Sequence, residues 1–212
     1  MPKVTIIDYG VGNLLSVCRG FEKSGADVVV SNDPGQILMS EFVVLPGVGA
    51  FGNAMEALNK LKLVPVILEI ANRGTPLLCI CLGMQLLLEE SEEFGKHKGL
   101  GLIDGKVKKM PDTSVDGKPL KIPHIGWNGL VSDNSIDWRS TVLADNQIDD
   151  PMYFVHSFMA IPSHDEHRLA NCIYGGHLVP AVIGRENVIG CQFHPEKSGS
   201  LGLKLLSRFI NL

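Results

Sequence analysis

Two short stretches of this 212-residue chain carry side chains that could do covalent chemistry. In the first, the apolar run 76–80 (PLLCI) meets Cys81 and turns into LGMQLLL. A nucleophile followed two residues later by glycine, at a strand-to-helix junction, is the pattern of a nucleophile elbow. The sharp turn lifts the reactive side chain clear of the sheet and aims the next backbone N–H, that of Leu82, at a developing oxyanion. The start of a helix also favours a thiolate. A cysteine on an apolar strand is more often a buried structural thiol, so the local pattern alone leaves both readings open. Cys79 stands where such an elbow usually has glycine, which predicts some rearrangement of the turn. A redox or metal pair of Cys79 and Cys81 is disfavoured, because dithiol motifs use Cys-x-x-Cys spacing and no second pair completes a zinc site.

A thiol nucleophile needs a base, and the base needs an orienting group. His194-Pro195-Glu196, after the apolar run 188–193, supplies both within three residues. Residues two apart in an extended segment point the same way. Glu196 can therefore hold one imidazole nitrogen while the other faces Cys81. A lone His-x-Glu in a proline turn is more often a surface feature; its combination with an elbow cysteine is the specific signal. Pro46-Gly47-Val48-Gly49 could turn main-chain N–H groups toward an oxyanion, although a plain turn uses the same residues. Gly10-Val11-Gly12-Asn13 has part of a dinucleotide loop, but Leu15 replaces its third small residue, so no nucleotide cofactor is expected. His164 and His167 lie in a polar loop that reads as solvated, and no metal is expected.

These residues must be positioned by an α/β framework. Short apolar runs at 3–9, 27–30, 42–45 and 76–80 read as strands. Helical periodicity covers 13–24, 51–60, 64–72 and 82–90, with Gly74 as a stop signal. Such alternation predicts a doubly wound, flavodoxin-like, mostly parallel sheet, whose ligands gather where strands lead into helices. Beyond Gly99 the chain turns β-rich, with strands expected at 100–103, 106–109, 127–131, 152–156, 169–174, 179–184 and 188–193. A helix over 200–211 closes it. No linker or repeat divides the chain, so one domain, 1–212, is expected.

Composition excludes several classes. At 45% hydrophobic and 20% charged residues the chain is neither disordered nor short of core. A formal net charge of −4 argues against sequence-independent binding of nucleic acid. The first apolar run meets Asp8 before it can form a signal-peptide core, and 76–88 is broken by Gly83 and Gln85, so neither export nor a membrane span is expected. Five cysteines then read as reduced thiols in the cytoplasm.

Taken in order, DYGVGNLLS (8–16), LPGVGAF (45–51), CLGMQLL (81–87), PHIGWN (123–128), YFVHSF (153–158) and GCQFHPEKSG (190–199) span essentially the whole chain. Together they resemble the class I (triad) glutamine amidotransferases, and among these the glutaminase subunits of imidazole glycerol phosphate synthases. The resemblance implies hydrolysis of L-glutamine to glutamate and ammonia by Cys81, His194 and Glu196 without a cofactor. It implies an oxyanion hole from Val48, Gly49 and Leu82, and glutamine binding by Gly47, Gly49, Gln85, Ser157 and Phe158. It further implies a (β/α)8-barrel synthase partner in a heterodimer, docked near Asn13, Trp127, Asn128 and Lys197. That partner would take up the ammonia to make imidazole glycerol phosphate and an aminoimidazole carboxamide ribotide for histidine biosynthesis. Three other readings stay open at this point: a paralogous glutaminase feeding sugar amidation, a non-catalytic regulatory subunit, and a cysteine hydrolase of the related fold.

Overall fold

In the computed structural model, which describes residues 1–132 and 136–212, the first half of the chain alternates strand and helix. It runs β1 (Lys3–Ile7), α1 (Leu14–Lys23), β2 (Asp27–Ser31), α2 (Pro34–Leu38), β3 (Phe42–Gly47), α3 (Phe51–Lys60), α4 (Leu63–Asn72), β4 (Leu77–Cys81) and α5 (Leu82–Leu86). The second half runs β5 (Glu90–Ser91), β6 (His97–Lys98), β7 (Gly105–Lys109), β8 (His124–Gly129), β9 (Pro151–His156), β10 (Phe158–Pro162), β11 (Arg168–Tyr174), β12 (His177–Arg185), β13 (Val188–Cys191) and α6 (Gly199–Phe209).

Seven strands form the main sheet in the order β11-β12-β13-β4-β3-β1-β2. The pairs joining β2, β1, β3, β4 and β13 are parallel, and β12 and β11 extend the sheet antiparallel. Both faces are covered, which is why the inner strands are apolar at nearly every position rather than at alternate ones. Val4, Ile6, Val44, Leu78 and Ile80 face Phe21 of α1 and Leu205 and Phe209 of α6. Their neighbours in sequence, Ile7, Val43, Leu45 and Leu77, face Phe51 and Leu58 of α3 and Ile67 of α4. Each such fully buried side chain contributes roughly 1.5–3 kcal/mol of transfer free energy. A smaller sheet, β10-β7-β5-β6, and the antiparallel pair β8–β9 pack alongside. Among the described residues no helix is long and apolar enough to cross a membrane.

The departures from the sequence reading share a cause around α5. The helix expected over 82–90 stops at Leu86, and 100–103 is not a strand. The amides of Leu100, Leu102 and Ile103 donate to the carbonyls of Leu86 and Leu87, and that of Gly101 donates to Leu88. The expected strand is thus spent on capping the end of the helix. The strand expected over 127–131 begins earlier, because its register is set by pairing with β9 from His124↔His156 to Gly129↔Pro151. The strand expected over 188–193 ends at Cys191, leaving Gln192 to His194 outside the ladder. Three strands, β5, β6 and β10, and the short α2 were not expected at all.

Candidate active site

Cys81 ends β4 and begins α5 with φ 57° and ψ −110°, a conformation that costs a residue with a Cβ. Regular alternation would place Cys81 on the face of Leu77 and Cys79. The turn swings it to the other face, where it packs with Leu78 and Ile80. The strain is held because α5 starts against β3: a Cβ at Gly83 would stand 2.1 Å from the Leu45 carbonyl oxygen. One at Gly47 would stand 2.6 Å from the Tyr9 hydroxyl, which donates to the Pro46 carbonyl at 2.8 Å. Only glycine permits this approach. Cys79 does not rearrange the turn. It sits in regular pairing with Leu45 and Gly190, and burial pushes its thiol up, out of reach of ionisation at neutral pH. Burial does the same to Cys191 and moves Cys172 to about 12.

His194 lies beyond β13, 3% exposed. Its N–H donates to the Tyr153 carbonyl at 2.9 Å, and Ser198 staples the segment to β9. The Ser198 hydroxyl donates to the His194 carbonyl at 2.7 Å and accepts from the Tyr153 N–H at 2.9 Å. Nδ1 of His194 donates to Glu196 Oε1 at 2.8 Å, and the Glu196 side chain is fully buried. Nε2 is also buried but has no hydrogen-bond partner, and it shares a cavity with Cys81. Burial alone would lower the imidazole's pKa. Cys81, acting by proximity rather than through a well-aligned hydrogen bond, and then Glu196 outweigh burial and push it up to about 9. At neutral pH this imidazole is a proton carrier beside a thiol.

The cavity measures about 350 Å³. Val48 and Gly49 line one side, Leu82 and Gln85 another, and Pro123, Val155, His156, Ser157 and Phe158 a third, with Glu93 and Lys197 completing the wall. Nine of the residues singled out from sequence therefore meet in one space: Val48, Gly49, Cys81, Leu82, Gln85, Ser157, Phe158, His194 and Lys197. Glu196 stands behind His194, and Gly47 lies in β3 outside the wall. Asn13 is exposed at the start of α1. Trp127 is 58% exposed and meets Tyr153 edge-on at 5.8 Å. Asn128, expected beside Trp127 on a docking face, alternates to the opposite face of β8, where its Nδ2 donates to the Ile173 carbonyl at 2.8 Å.

Sequence reasoning missed Glu93 and His156. Glu93 sits in an acidic run, ESEE, that reads as a solvated face, yet its Oε2 accepts from the Phe51 N–H at 2.6 Å. The available signal was the missing cap of α3, whose N-cap is Ala50, so that an acid from elsewhere in the chain must serve it. Among the described residues no group of three or more His, Cys, Asp or Glu side chains is arranged to hold a metal ion.

A family model for glutamine amidotransferase class-I matches residues 5–212. The chain is 50% identical over 213 residues, covering 100% of both sequences, to imidazole glycerol phosphate synthase subunit HisH 1 of Legionella pneumophila (strain Lens). It is 45% identical over 212 residues to subunit HisH of Geobacillus thermodenitrificans (strain NG80-2), covering 100% of this chain and 97% of that one. In fold it is similar to a chain in the structure of PurLQS from Thermotoga maritima, with a TM-score of 0.73 at 18% identity over 99% and 98% of the two chains. With the match running through every segment that builds the cavity, the chain belongs to the class-I glutamine amidotransferase family.

Proposed function

We infer that this chain is the glutaminase subunit of an imidazole glycerol phosphate synthase, one amidotransferase domain over 1–212. The observation that carries the reading is the cavity in which an elbow cysteine meets an imidazole held charged against a buried carboxylate. The full-length likeness to HisH subunits supports the choice of acceptor pathway, histidine biosynthesis.

Glutamine enters with its carboxamide toward Cys81. Glu93 in the wall suits its ammonium group, and Gln85, Ser157 and Phe158 line the part of the wall that takes its amino-acid end. The Cys81 thiolate adds to the carboxamide carbon, and backbone N–H groups around Val48, Gly49 and Leu82 meet the oxyanion. His194, protonated at neutral pH, passes its Nε2 proton to the leaving ammonia. The imidazole that remains is neutral and takes a proton from water, which hydrolyses the thioester. Glu196 fixes the ring by holding the Nδ1 proton throughout. The ammonia crosses to a (β/α)8-barrel synthase in the cytoplasm, docked where Asn13, Trp127 and Lys197 lie; water would protonate free ammonia and end its nucleophilicity.

The test is glutamate release from L-glutamine by the chain mixed with its synthase subunit and that subunit's nucleotide substrate. Cys81→Ala is expected to abolish release, while the assembled pair still makes product from added ammonium salt. Full hydrolysis by Cys81→Ala refutes the reading.

A further inference from the structure

Gln192, the first residue after β13, is fully buried, although nothing in the chemistry above requires a polar side chain there. Its Nε2 lies 3.8 Å from the Cys81 sulfur, and its Oε1 lies 3.0 Å from Nε2 of Gln85. Gln85 Nε2 in turn lies 3.0 Å from the Phe158 carbonyl oxygen.

The direction of this chain is forced. A backbone carbonyl can only accept, so the end of Gln85 that meets Phe158 must be its NH2 group. That NH2 group has two protons, one for Phe158 and one for Gln192, so the end of Gln192 facing Gln85 must be its oxygen. The remaining end of Gln192, its NH2 group, is then aimed at sulfur. The anchor is held twice, because Nδ1 of His156 also donates to the Phe158 carbonyl at 2.8 Å. His156 accepts at Nε2 from Nδ1 of His124, 3.1 Å away.

We propose that Gln192 is a donor to the nucleophile: its N–H stabilises the Cys81 thiolate, in an orientation imposed by an amide relay anchored on the Phe158 carbonyl. The assignment rests on the glutaminase reading and adds to it a residue in contact with the reacting atom. The opposing contact is the Val155 carbonyl, 3.9 Å from the same sulfur, which accepts from S–H and so favours the neutral thiol. Gln192 acts against it. When sulfur bonds to the carboxamide carbon its negative charge is lost, and the Gln192 bond weakens. When water adds to the thioester and the C–S bond breaks, the electron pair returns to sulfur and the donor is again in place. The same relay joins Phe158 and Gln85, in the wall of the glutamine cavity, to the sulfur.

The titratable groups facing this sulfur are His194 after β13, Cys191 on β13, His156 on β9, Tyr9 after β1 and, in the cavity wall, Glu93 and Lys197. None is altered by a change at Gln192, so the pH dependence of Cys81 reactivity isolates the donor. Alkylation by iodoacetamide from pH 5.5 to 9.5, located residue by residue from fragment ions in mass spectrometry because Cys79 and Cys81 share one tryptic peptide, reads Cys81 apart from the other four thiols. Gln192→Met removes the donor at similar volume. Its alkylation midpoint is expected to move upward by about one pH unit, with Cys81 reacting about tenfold more slowly near pH 7. Gln192→Leu likewise removes the donor and decides the matter if the first variant fails to fold; its midpoint is expected to move upward by the same amount. Profiles that superimpose on that of the unaltered chain overturn the proposal, and a merely packing role predicts that result together with a lower melting temperature. Because alkylation needs no glutamine, failure of the glutaminase reading shows separately, as an unaltered chain that releases no glutamate with its partner.

Discussion

Replacing Glu196 with Gln keeps the side chain's shape and removes its charge from a site with no solvent to compensate, since the carboxylate is fully buried 2.8 Å from Nδ1 of His194. The imidazole stands at about 9 against an ordinary 6.5. A displacement of that size corresponds to about 3 kcal/mol of preference for the charged ring. Burial is the largest influence and opposes the rise, and Cys81 comes first and Glu196 second among the contacts that overcome it, so the carboxylate is assigned an appreciable part, on the order of 1–2 kcal/mol. In Glu196→Gln the ring is expected to titrate about one pH unit lower, read from its NMR shifts. The sign of the stability effect follows from linkage. A folded value above the unfolded one means that protonation favours the fold. The gain is full below pH 6.5 and is lost as pH rises through about 9. Urea denaturation is therefore expected to separate the two proteins by about 1–2 kcal/mol at pH 6. The gap should close by pH 9.5, where the unaltered protein holds a buried carboxylate beside a neutral ring. Glutamate release should change little at neutral pH, where a ring titrating about one pH unit lower is still mostly charged, and should fall by up to about tenfold above pH 9, where the charged fraction of the acid that protonates the leaving ammonia falls by that ratio. A stability gap that is constant across pH, or an imidazole titration unchanged by the substitution, would show that Glu196 does not hold the charge on His194.

Gly83→Ala places a methyl group 2.1 Å from the Leu45 carbonyl oxygen, a backbone atom that can yield only by shifting β3. A loss of about 3 kcal/mol is expected in urea denaturation, at the upper end of overpacking costs. An unchanged midpoint would mean that α5 does not need its close seat on β3. The pair His124 and His156 sets an acid limit, since burial lowers both to about 4. The unfolded chain takes up these protons first, so stability is intact above pH 6.5 and declines as pH falls toward 4, by about 1.4 kcal/mol per pH unit for each ring. His194 adds no slope there, being protonated in both states. Between pH 6.5 and 5, His124→Phe, which can keep the stack on Tyr174, is expected to halve the slope of unfolding free energy against pH, and an unaltered slope would count against buried neutral rings.

What could be read from the sequence was whatever local pattern determines. Runs such as 42–45 and 76–80 are apolar on both faces because helices cover both sides of the sheet, and all five parallel strands lie within one or two residues of their expected limits. Cys81 and His194 announced themselves because strand ends converge in a parallel sheet, and strands β4 and β13 that carry them are neighbours. What escaped was decided by partners distant in the chain. Strand β10 has an unremarkable sequence and exists because β7 pairs with it from Phe158↔Lys109 to Pro162↔Gly105. Glu93 serves a helix that begins at Phe51, and Ser198 staples His194 to Tyr153, contacts that no spacing rule reaches. Gln192 lies between these cases. The motif that contains it was legible, but its two neighbours in the amide chain, Gln85 and Cys81, come from the other side of a parallel crossover. The polarity of that chain is set at Phe158, a residue whose side chain plays no part in it. A sequence names the groups at such a site, but the direction in which protons lie along a buried relay is a property of the assembled backbone. The thiol chemistry at Cys81 is therefore sensitive to main-chain shifts at 157–158 that leave every side chain of the Cys81, His194 and Glu196 set in place.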